Sequence, residues 1–489
     1  MPPAEGGGME IYMENFCVRD IVNATGGRLL CGDGNTKIDN FATNSGKSEP
    51  GLMFAPIVGE RVDGHKYIGN AFECGASASL TQKEQAVREL IDGWQAVGEQ
   101  AKPVVLVEDS VRAMQLVARE YESRLKLKKV GVTGSVGKTT TKEMIACALS
   151  GGLKVFKTAG NANSQIGVPV TLMNIAPDDE AAVIEMGMSE EGEMQRLATL
   201  LSLNAAVMTN IGVSHIEQLG SQENILREKW HITDALVEGG HIFLNGDDAL
   251  LRERAKLCRD DYQAVFGADD KRKLQIVTFG HASDCDYRAE NVCADADGVG
   301  FDMVHGDTVI HVRLNVLGSH NVNNALVALA VAEYFGVDLK AAAAALEGYT
   351  GVAMRQQITK KDGVTCIDDS YNASPDSMKA GLGVLSQMPA NYRVAVLADM
   401  LELGENTKEY HRQVGVYAGQ SKVDELLLYG ELAKYIGYGA EQYVKNIRHF
   451  DTLDDIKEYL KNTLKPGTAV LFKGSRGMKL NEVVDGLIK

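Results

Sequence analysis

The chain has 489 residues, 45% of them hydrophobic and 24% charged, and a formal net charge of −16. This length suits about three domains of ordinary size, each large enough to bury its own core. The acidic balance argues against a nucleic-acid binder, because such proteins need basic residues to replace phosphate counterions. No apolar run approaches the roughly 18 residues that span a bilayer, and the N-terminus lacks the pattern of a secretory signal. We therefore expect a cytoplasmic monomer that binds no nucleic acid and does not insert into membranes.

Three patterns of predicted elements follow one another. The first 105 or so residues mix helical and strand-like stretches. From Lys129, β-type runs alternate with helical stretches, which is typical of an open, mostly parallel sheet; the buried strands are KVGVT, AAVIEMG, NAAVMTN and HIFLN. Residues 284–316 change to short runs broken by Gly and Asp, which predict a few antiparallel strands. An Ala-rich helix from Asn323 to about Tyr334 closes this part.

A second alternation begins at VTCIDD and continues through RVAVLAD, ELLLYG and TAVLFKG. It predicts a separate Rossmann-like unit at the C-terminus. The expected fold is thus α/β with three domains. These are an N-terminal α+β domain over residues 1–108, a central P-loop ATPase-like domain over 109–347 with a mostly parallel sheet, and a Rossmann-like domain over 348–489.

A glycine-rich loop joins a predicted strand to a predicted helix between Gly131 and Thr141 (GVTGSVGKTTT). Backbone N–H groups of such a loop can close around phosphate, Lys138 would neutralise phosphate charge, and the Thr139 hydroxyl would bind Mg²⁺. The strict phosphate-loop pattern requires glycine at position 132, where this chain has Val132. The alternative is a glycine-rich turn that only packs. The residues predicted to bind the nucleotide here are Gly134, Ser135, Gly137, Lys138, Thr139 and Thr140.

Two polar residues follow predicted strands of the central domain. Glu185 ends the apolar run AAVIE, and His215 follows NAAVMTNIGVS. Ligands of open α/β sheets collect at the carboxyl ends of strands, and phosphoryl transfer requires a divalent cation there. We therefore predict that both residues bind metal. Alone, each could instead be a structural residue, a capped carboxylate or a buried imidazole.

Longer motifs carry a specific resemblance. GVTGSVGKTT, Glu185-Met186-Gly187, TNIGVSHIEQLGSQENILREKWHI and GSHNVNNALVALA resemble the central domain of the Mur ligases of bacterial peptidoglycan synthesis. DDSYNASPDSM, VLADMLELGENTKEYH and VLFKGSRGMKL resemble the branch of that family that joins D-alanyl-D-alanine to UDP-N-acetylmuramoyl-tripeptide. The resemblance implies an ATP-dependent ligase in which the tripeptide carboxylate forms an acyl phosphate that the dipeptide amine displaces.

The resemblance also implies roles for individual residues. Lys138 binds phosphates, Thr139 and Glu185 share one Mg²⁺, and His215 helps to hold a second. Lys229 aligns with a lysine that the family carbamylates to make a metal-binding carboxylate. The remaining expected catalytic and ATP-binding residues are Arg355 for the γ-phosphate, Asn321 and Asn324 for adenosine, and Asp369 near the ribose.

Substrate-binding residues are implied in the outer domains. In the C-terminal domain the resemblance places Asn372, Ser374, Lys473, Ser475 and Arg476 near the incoming dipeptide. The stretch from Asp369 also reads as a polar loop that caps a helix at Ser374, with Pro375 in its first turn. In the N-terminal domain, NFATNSGKSEPGLMF and GERVDGH resemble the UDP-sugar domain. Asn44 and Ser45 are expected near the uridine diphosphate, although Asn44-Ser45-Gly46 replaces the usual Asp-Ser-Arg and lacks its cation.

Two other functions fit parts of the pattern. A folylpolyglutamate-synthase-like ligase would share the fold and the acyl-phosphate chemistry, but the NASPDSM loop and the UDP-domain pattern speak against it. A nucleotide-dependent switch would bind ATP without consuming it. Whether the third residue of the tripeptide is lysine or diaminopimelate stays open.

Overall fold

Three β-sheets follow one another along the chain in the computed structural model, which describes Met13 and residues 16–59, 62–295 and 297–488. Each sheet is made from consecutive strands, and helices connect and cover them. The predicted α/β class with three successive units is confirmed. The domain limits at 108 and 347 stay predictions, and the first 12 residues, Glu60 and Arg61 lie outside the described part.

The N-terminal sheet has five strands among the described residues, in the order β1-β5-β4-β3-β2. Only the β1–β5 pair is antiparallel. The strands are β1 (Arg28–Cys31), β2 (Asn40–Ala42), β3 (Leu52–Phe54), β4 (Ala78–Thr81) and β5 (Val104–Leu106). The helices before the second sheet are α1 (Val18–Thr25), α2 (Ile68–Glu73), α3 (Gln85–Val97) and α4 (Ser110–Glu122), with 3₁₀ turns at Ser45–Lys47 and Gly64–Tyr67.

The central sheet has the order β14-β13-β12-β11-β10-β9-β6-β8-β7 within the described ranges. It is parallel from β7 to β12 and antiparallel beyond, as the sequence predicts for residues 284–316. The strands are β6 (Lys128–Thr133), β7 (Val155–Lys157), β8 (Ala181–Glu185), β9 (Leu203–Met208), β10 (Leu236–Asn245), β11 (Gln275–Gly280), β12 (Tyr287–Ala294), β13 (Val299–His305) and β14 (Thr308–Leu314).

The helices of this central part alternate with its strands. They are α5 (Lys138–Leu149), α6 (Gly167–Leu172), α7 (Glu193–Ala198), α8 (Ile216–Leu219), α9 (Gln222–Trp230), α10 (Ala249–Asp260), α11 (Tyr262–Phe266), α12 (His320–Phe335) and α13 (Leu339–Glu347), with a 3₁₀ turn at His231–Ala235. Helix α12 begins three residues before the predicted Asn323. It is apolar on nearly all sides and packs against α5 and the sheet, as a fully buried helix must.

The C-terminal sheet has the order β15-β16-β20-β17-β18-β19 across the described residues, and only β15 runs antiparallel to its neighbour. The strands are β15 (Gln357–Lys361), β16 (Val364–Asp368), β17 (Tyr392–Ala398), β18 (Glu425–Tyr429), β19 (Asn446–Phe450) and β20 (Thr468–Lys473). The helices are α14 (Pro375–Gln387), α15 (Thr407–Gln420), α16 (Lys434–Ala440), α17 (Leu453–Thr463) and α18 (Asn481–Ile488), with 3₁₀ turns at Gly404–Asn406 and Arg476–Met478.

Strand pairing in the central sheet brings the predicted site residues to one edge. β6 lies between β8 and β9, with Val132 opposite Glu185 and Thr133 opposite Met208. Because all three strands are parallel, the segments that follow them leave the sheet side by side. The phosphate loop, Glu185 and the segment that carries His215 are therefore neighbours. No helix in the described part of the chain is both long and apolar enough to cross a lipid bilayer.

Candidate active site

The glycine loop after β6 adopts a conformation that only glycine accepts readily. Gly134 has φ +147°, and a Cβ at this position would lie 1.9 Å from Thr209 Oγ1. Gly137 has φ +86° and is the N-cap of α5. The loop is held from the neighbouring segment, since Asn210 Oδ1 accepts from the N–H of Val136 at 2.9 Å. Its backbone is therefore fixed against the start of a helix, which is the geometry that binds phosphate.

Replacing Gly134 with alanine should weaken ATP binding by at least about tenfold, because the added Cβ collides with Thr209 and the backbone conformation becomes strained. Gly336→Ala is a matched control. Gly336 also has positive φ, at +91°, but a Cβ there meets no atom within 4 Å. Isothermal titration of ATP should show the loss only in Gly134→Ala, and equal affinities in the two variants would contradict the assignment of the loop.

Lys138 begins α5 and curls back over the loop. Its Nζ donates to the carbonyl of Gly134 at 2.8 Å and to that of Ser135 at 3.4 Å. Burial lowers the pKa of Lys138, Glu185 opposes this shift, and Arg355 adds to it. A cation therefore stands at the mouth of the loop, where phosphate charge would be neutralised.

Glu185 ends β8 almost fully buried, with 1% of its surface exposed. Its Oε1 accepts from the Thr139 hydroxyl at 3.2 Å and from Asn163 Nδ2 at 2.7 Å. Its Oε2 has no hydrogen-bond donor among the described residues, although Lys142 Nζ lies 3.8 Å away. One oxygen is thus held in place, and the other is an orphaned buried acceptor of the kind that a cation would satisfy.

His215 lies at the start of α8 in a left-handed backbone conformation, with φ +64°. Its Nδ1 is 2.8 Å from Glu402 Oε2, which belongs to the C-terminal part of the chain and also has positive φ, at +63°. The approach satisfies the distance for an ion pair but not the angle for a hydrogen bond. Burial lowers the pKa of His215, and the cations of Lys229 and Lys138 lower it further, which favours the neutral, metal-binding imidazole.

Lys229 is buried in α9 with 1% of its surface exposed. Its ammonium has no hydrogen bond or ion pair with any described residue, an unusual environment for a full charge. Burial lowers the pKa of Lys229 well below its usual value, Lys138 lowers it further, and Glu228 opposes the shift. Burial therefore favours the neutral amine of Lys229 over its ammonium form.

Amide side chains at the start of α12 connect this helix to α5. The Thr141 hydroxyl donates to Asn324 Oδ1 at 2.9 Å, and Asn324 Nδ2 donates to Asn321 Oδ1 at 3.1 Å. Asn321 Nδ2 in turn donates to the carbonyl of Leu317 at 2.7 Å. Both asparagines thus have fixed orientations beside the phosphate loop.

One cavity of about 860 Å³ lies between the central and C-terminal sheets. The predicted residues that line it are Ser135, Gly137, Lys138, Thr139, Thr140, Glu185, His215, Asn321, Asn324, Arg355, Asp369, Asn372, Ser374 and Lys473. Gly134 belongs to the same loop, but neither Gly134 nor Lys229 lines the cavity. The structure therefore brings together most of the residues that the sequence singles out.

Arg355 reaches this cavity from a tight turn before β15. Met354 and Gln356, on either side of it, both have positive φ, at +59° and +55°. Two left-handed non-glycine residues that flank a third are costly, and such strain is found where a side chain must be aimed. The Arg355 guanidinium lies 4.2 Å from the ring centre of Tyr371.

Lys473 and Asp369 form a buried ion pair at the floor of the cavity, with Nζ 2.7 Å from Oδ2. Lys473 also donates to the carbonyl of Asn372 at 3.1 Å. Burial raises the pKa of Asp369, against the opposing effect of Lys473. Ser374 is the N-cap of α14 with Pro375 in the first turn, as predicted.

Four predicted substrate residues lie outside the cavity lining. Asn44 caps the short 3₁₀ turn of the N-terminal part by accepting from the N–H of Gly46 at 3.0 Å, and Ser45 begins that turn. Ser475 Oγ accepts from the N–H of Leu401 at 2.9 Å. Arg476 is exposed and donates to Met354 Sδ at 3.1 Å.

Several residues that shape the site have no role in the sequence argument. Asn163 holds Glu185, Glu402 contacts His215, and Tyr371 lies against Arg355. Lys142 is fully buried and donates to the carbonyls of Thr158 and Gly160 at 2.7 and 3.0 Å. The sequence contained one indication of this position for Lys142, because Lys142 follows Lys138 by four residues and so lies on the same face of α5. Among the described residues no three His, Cys, Asp or Glu side chains form a metal-binding group.

Comparisons with known proteins agree with this geometry. The Mur ligase middle domain matches residues 132–332, and the Mur ligase glutamate ligase domain matches residues 354–476. The UDP-N-acetylmuramoyl-tripeptide–D-alanyl-D-alanine ligase of Bacillus subtilis is 36% identical over 458 residues, 93% of this chain and 94% of that protein.

Solved structures show the same likeness over the whole fold. MurF from Acinetobacter baumannii has a TM-score of 0.83 at 26% identity, covering 97% of this chain and 98% of that one. MurF from Thermotoga maritima in complex with ADP has a TM-score of 0.77 at 27% identity, covering 92% of this chain and 97% of that one. Because two domains of the Mur ligase family match this chain and a relative at 36% identity matches it nearly end to end, the chain belongs to the Mur ligase family.

Proposed function

We propose that this chain joins D-alanyl-D-alanine to UDP-N-acetylmuramoyl-tripeptide, with ATP converted to ADP and phosphate, in the synthesis of bacterial peptidoglycan precursors. One observation carries the proposal. The phosphate loop after β6 and the loop from Asp369 to Ser374 belong to two different sheets, and both line the same cavity. The name of the Bacillus subtilis relative, which matches nearly the whole chain, supports this choice of substrates. Because ATP and UDP-linked sugars are cytoplasmic metabolites, the proposed reaction takes place in the cytoplasm.

Each of the three parts of the chain would bind one substrate. Residues 1–108 would hold the UDP-sugar, residues 109–347 ATP, and residues 348–489 the dipeptide. In the first of these, Asn44 and Ser45 stand where the uridine diphosphate is expected. The turn they form has its own capping hydrogen bond and so is already ordered.

ATP would lie along the central side of the cavity. The loop residues Gly134, Ser135, Gly137, Lys138, Thr139 and Thr140 would surround its phosphates, while Asn321 and Asn324 would meet the adenosine. Arg355 would approach the γ-phosphate from the other sheet. Its guanidinium has no hydrogen bond or ion pair with a described residue, so all its donors are available for a phosphate. Asp369 would lie near the ribose.

The residues of the site fit Mg²⁺. Glu185 presents an unsatisfied buried oxygen, and the Thr139 hydroxyl, which donates to that carboxylate, keeps its own lone pairs. His215 and a carbamate on Lys229 would hold a second ion. Bound Mg²⁺ would offset the negative charge that develops on the transferred phosphoryl group.

The chemistry needs two displacements. The tripeptide carboxylate attacks the γ-phosphorus, and ADP leaves as the acyl phosphate forms. The dipeptide amine then attacks the acyl carbon, loses a proton and expels phosphate. Since both steps redistribute negative charge, positioning and fixed cations such as Lys138 and Arg355 carry the catalysis.

The dipeptide would enter from the C-terminal side, near Asn372, Ser374, Lys473, Ser475 and Arg476. The Lys473 charge is already offset by Asp369, whereas no carboxylate lies within ion-pair distance of Arg476 among the described residues. Arg476 is therefore the better partner for the carboxylate of D-alanyl-D-alanine, and Lys473 orders the loop that contains Asn372.

A ligation assay tests the proposal. The purified chain with ATP and Mg²⁺ should release phosphate and form the pentapeptide product, detected by mass, only when both the UDP-muramoyl-tripeptide and D-alanyl-D-alanine are present. Lysine- and diaminopimelate-containing tripeptides should be assayed in parallel. Turnover with folate and glutamate instead would favour a folylpolyglutamate-synthase-like ligase, and ATP binding without any turnover would favour a switch.

A further inference from the structure

Tyr371 lines the cavity, and the reaction described above gives it no role. Its ring lies close to two guanidinium groups, with Cζ of Arg355 at 4.2 Å and Cζ of Arg476 at 5.7 Å from the ring centre. Its hydroxyl faces the side-chain amide of Asn161, which belongs to the central part of the chain. Tyr371 thus contacts both Arg355 and Arg476 and also a residue of the central part, across the cavity.

The ring is the main side-chain contact of Arg355. No hydrogen bond or ion pair joins the Arg355 guanidinium to a described residue, and its backbone is held only in the turn where its N–H donates to the carbonyl of Val352 at 3.1 Å. A long, flexible side chain on such a turn would sample many rotamers. A guanidinium stacked on an aromatic face loses this freedom while its N–H donors stay outward.

Backbone contacts fix Tyr371 to the same turn. The Tyr371 N–H donates to the carbonyl of Met354 at 3.2 Å, and Arg476 donates to the sulfur of Met354 at 3.1 Å. The backbone of Tyr371 is therefore tied to the residue next to Arg355. Arg355, Tyr371 and Arg476 thus meet around one turn.

We propose that Tyr371 is a positioning residue that aims the Arg355 guanidinium at the transferred phosphate. The inference rests on the proposed function. Tyr371 takes no part in bond making; it acts through Arg355. The aromatic face, more than the hydroxyl, performs this role.

Two variants separate the ring from the hydroxyl. Tyr371→Leu removes the aromatic face and should lower kcat by about 10- to 100-fold with a smaller change in the KM for ATP, because a misplaced group mainly weakens the transition state. Tyr371→Phe keeps the face and should stay within about tenfold of the wild type. Equal losses in the two variants would overturn the role of the ring.

A double-mutant cycle tests whether Tyr371 acts through Arg355. In an Arg355→Ala background, Tyr371→Leu should cause less than about a threefold further loss, because the group that it positions is already gone. Multiplicative losses would show an independent effect and contradict the proposal. Thermal unfolding of each variant excludes loss of fold as the cause. Should Tyr371→Leu fail to fold, Tyr371→Phe still tests the proposal, because a loss above about tenfold would assign the effect to the hydroxyl.

Tyr435 supplies a matched control on the same side of the molecule. It is also half-buried beside a guanidinium, that of Arg412 at 5.5 Å, but it lies outside the cavity. Tyr435→Leu should leave kcat unchanged, and a loss like that of Tyr371→Leu would mean that any such tyrosine matters only for stability. If the wild-type chain releases phosphate from ATP but gives no ligation product, the proposed function fails alone, because the same cycle can be measured on the rate of that phosphate release.

Discussion

The Lys138→Ala variant is expected to keep its fold and to lose roughly 10³-fold in turnover. The fold should survive because the Lys138 ammonium contacts only carbonyls of its own loop, at Gly134 and Ser135. The turnover should fall because no other lysine lines the central side of the cavity, so phosphate charge that grows in the transition state would lack its fixed counter-charge. A loss in kcat with a smaller change in ATP affinity is the expected pattern.

The same substitution changes the electrostatics behind the loop. The positive charge of Lys138 contributes to the lowered pKa values of Lys229 and His215. Removing it should raise both, so that Lys229 keeps its proton to higher pH. Part of the lost turnover should therefore depend on pH, with the variant recovering somewhat as pH rises.

Steady-state phosphate release from pH 6 to 9 would measure both effects, with circular dichroism and thermal unfolding as checks on the fold. Lys256→Ala is a suitable control, since Lys256 is an exposed lysine of α10 in the same part of the chain and lies outside the cavity. An unchanged kcat for Lys138→Ala would refute the assignment of the phosphate loop.

Local patterns predicted much of this molecule. The strands AAVIE and NAAVM are short, apolar and β-rich, so their burial follows from composition, and β8 and β9 are found there. The antiparallel change after residue 284 follows from its Gly and Asp punctuation. The glycine loop was recognisable although Val132 stands where the strict phosphate-loop pattern has glycine. The structure shows why this position can vary: Val132 belongs to β6, where it pairs with Glu185, and the loop begins after it.

The contacts that complete the site could not be predicted from local sequence patterns. Glu402 meets His215 across two sheets, and both depend on left-handed backbone conformations that their residue types do not favour. Lys142 and Lys473 are lysines with at most 2% of their surface exposed, whereas lysine is ordinarily solvated. Such contacts arise from tertiary packing between distant segments, and apart from the spacing of Lys142 from Lys138 the sequence carries no periodic signal for them.

The second large effect is expected at Lys229. Lys229→Ala should lower kcat by roughly 10³-fold, because a carbamate on this lysine is the proposed metal-binding carboxylate. The alanine leaves a hole where the side chain was, and a short carboxylate such as acetate or propionate could enter it and partly restore turnover. In the wild type, turnover should fall when bicarbonate and CO₂ are removed from the buffer and return when they are added.

Lys229→Met separates the carbamate from the space it fills. Methionine has a similar length and fills the hole, so this variant should be equally inactive but should not respond to added carboxylates. The stability of Lys229→Met should increase, in contrast to its turnover. The folded-state pKa of Lys229 lies below its unfolded value, so the wild type binds fewer protons when folded and its free energy of unfolding rises with pH between those two values. Removing this buried cation should therefore raise the melting temperature most in acidic, bicarbonate-free buffer. Turnover in either variant that matches the wild type, or rescue of Lys229→Met as strong as that of Lys229→Ala, would count against a carbamate at this position.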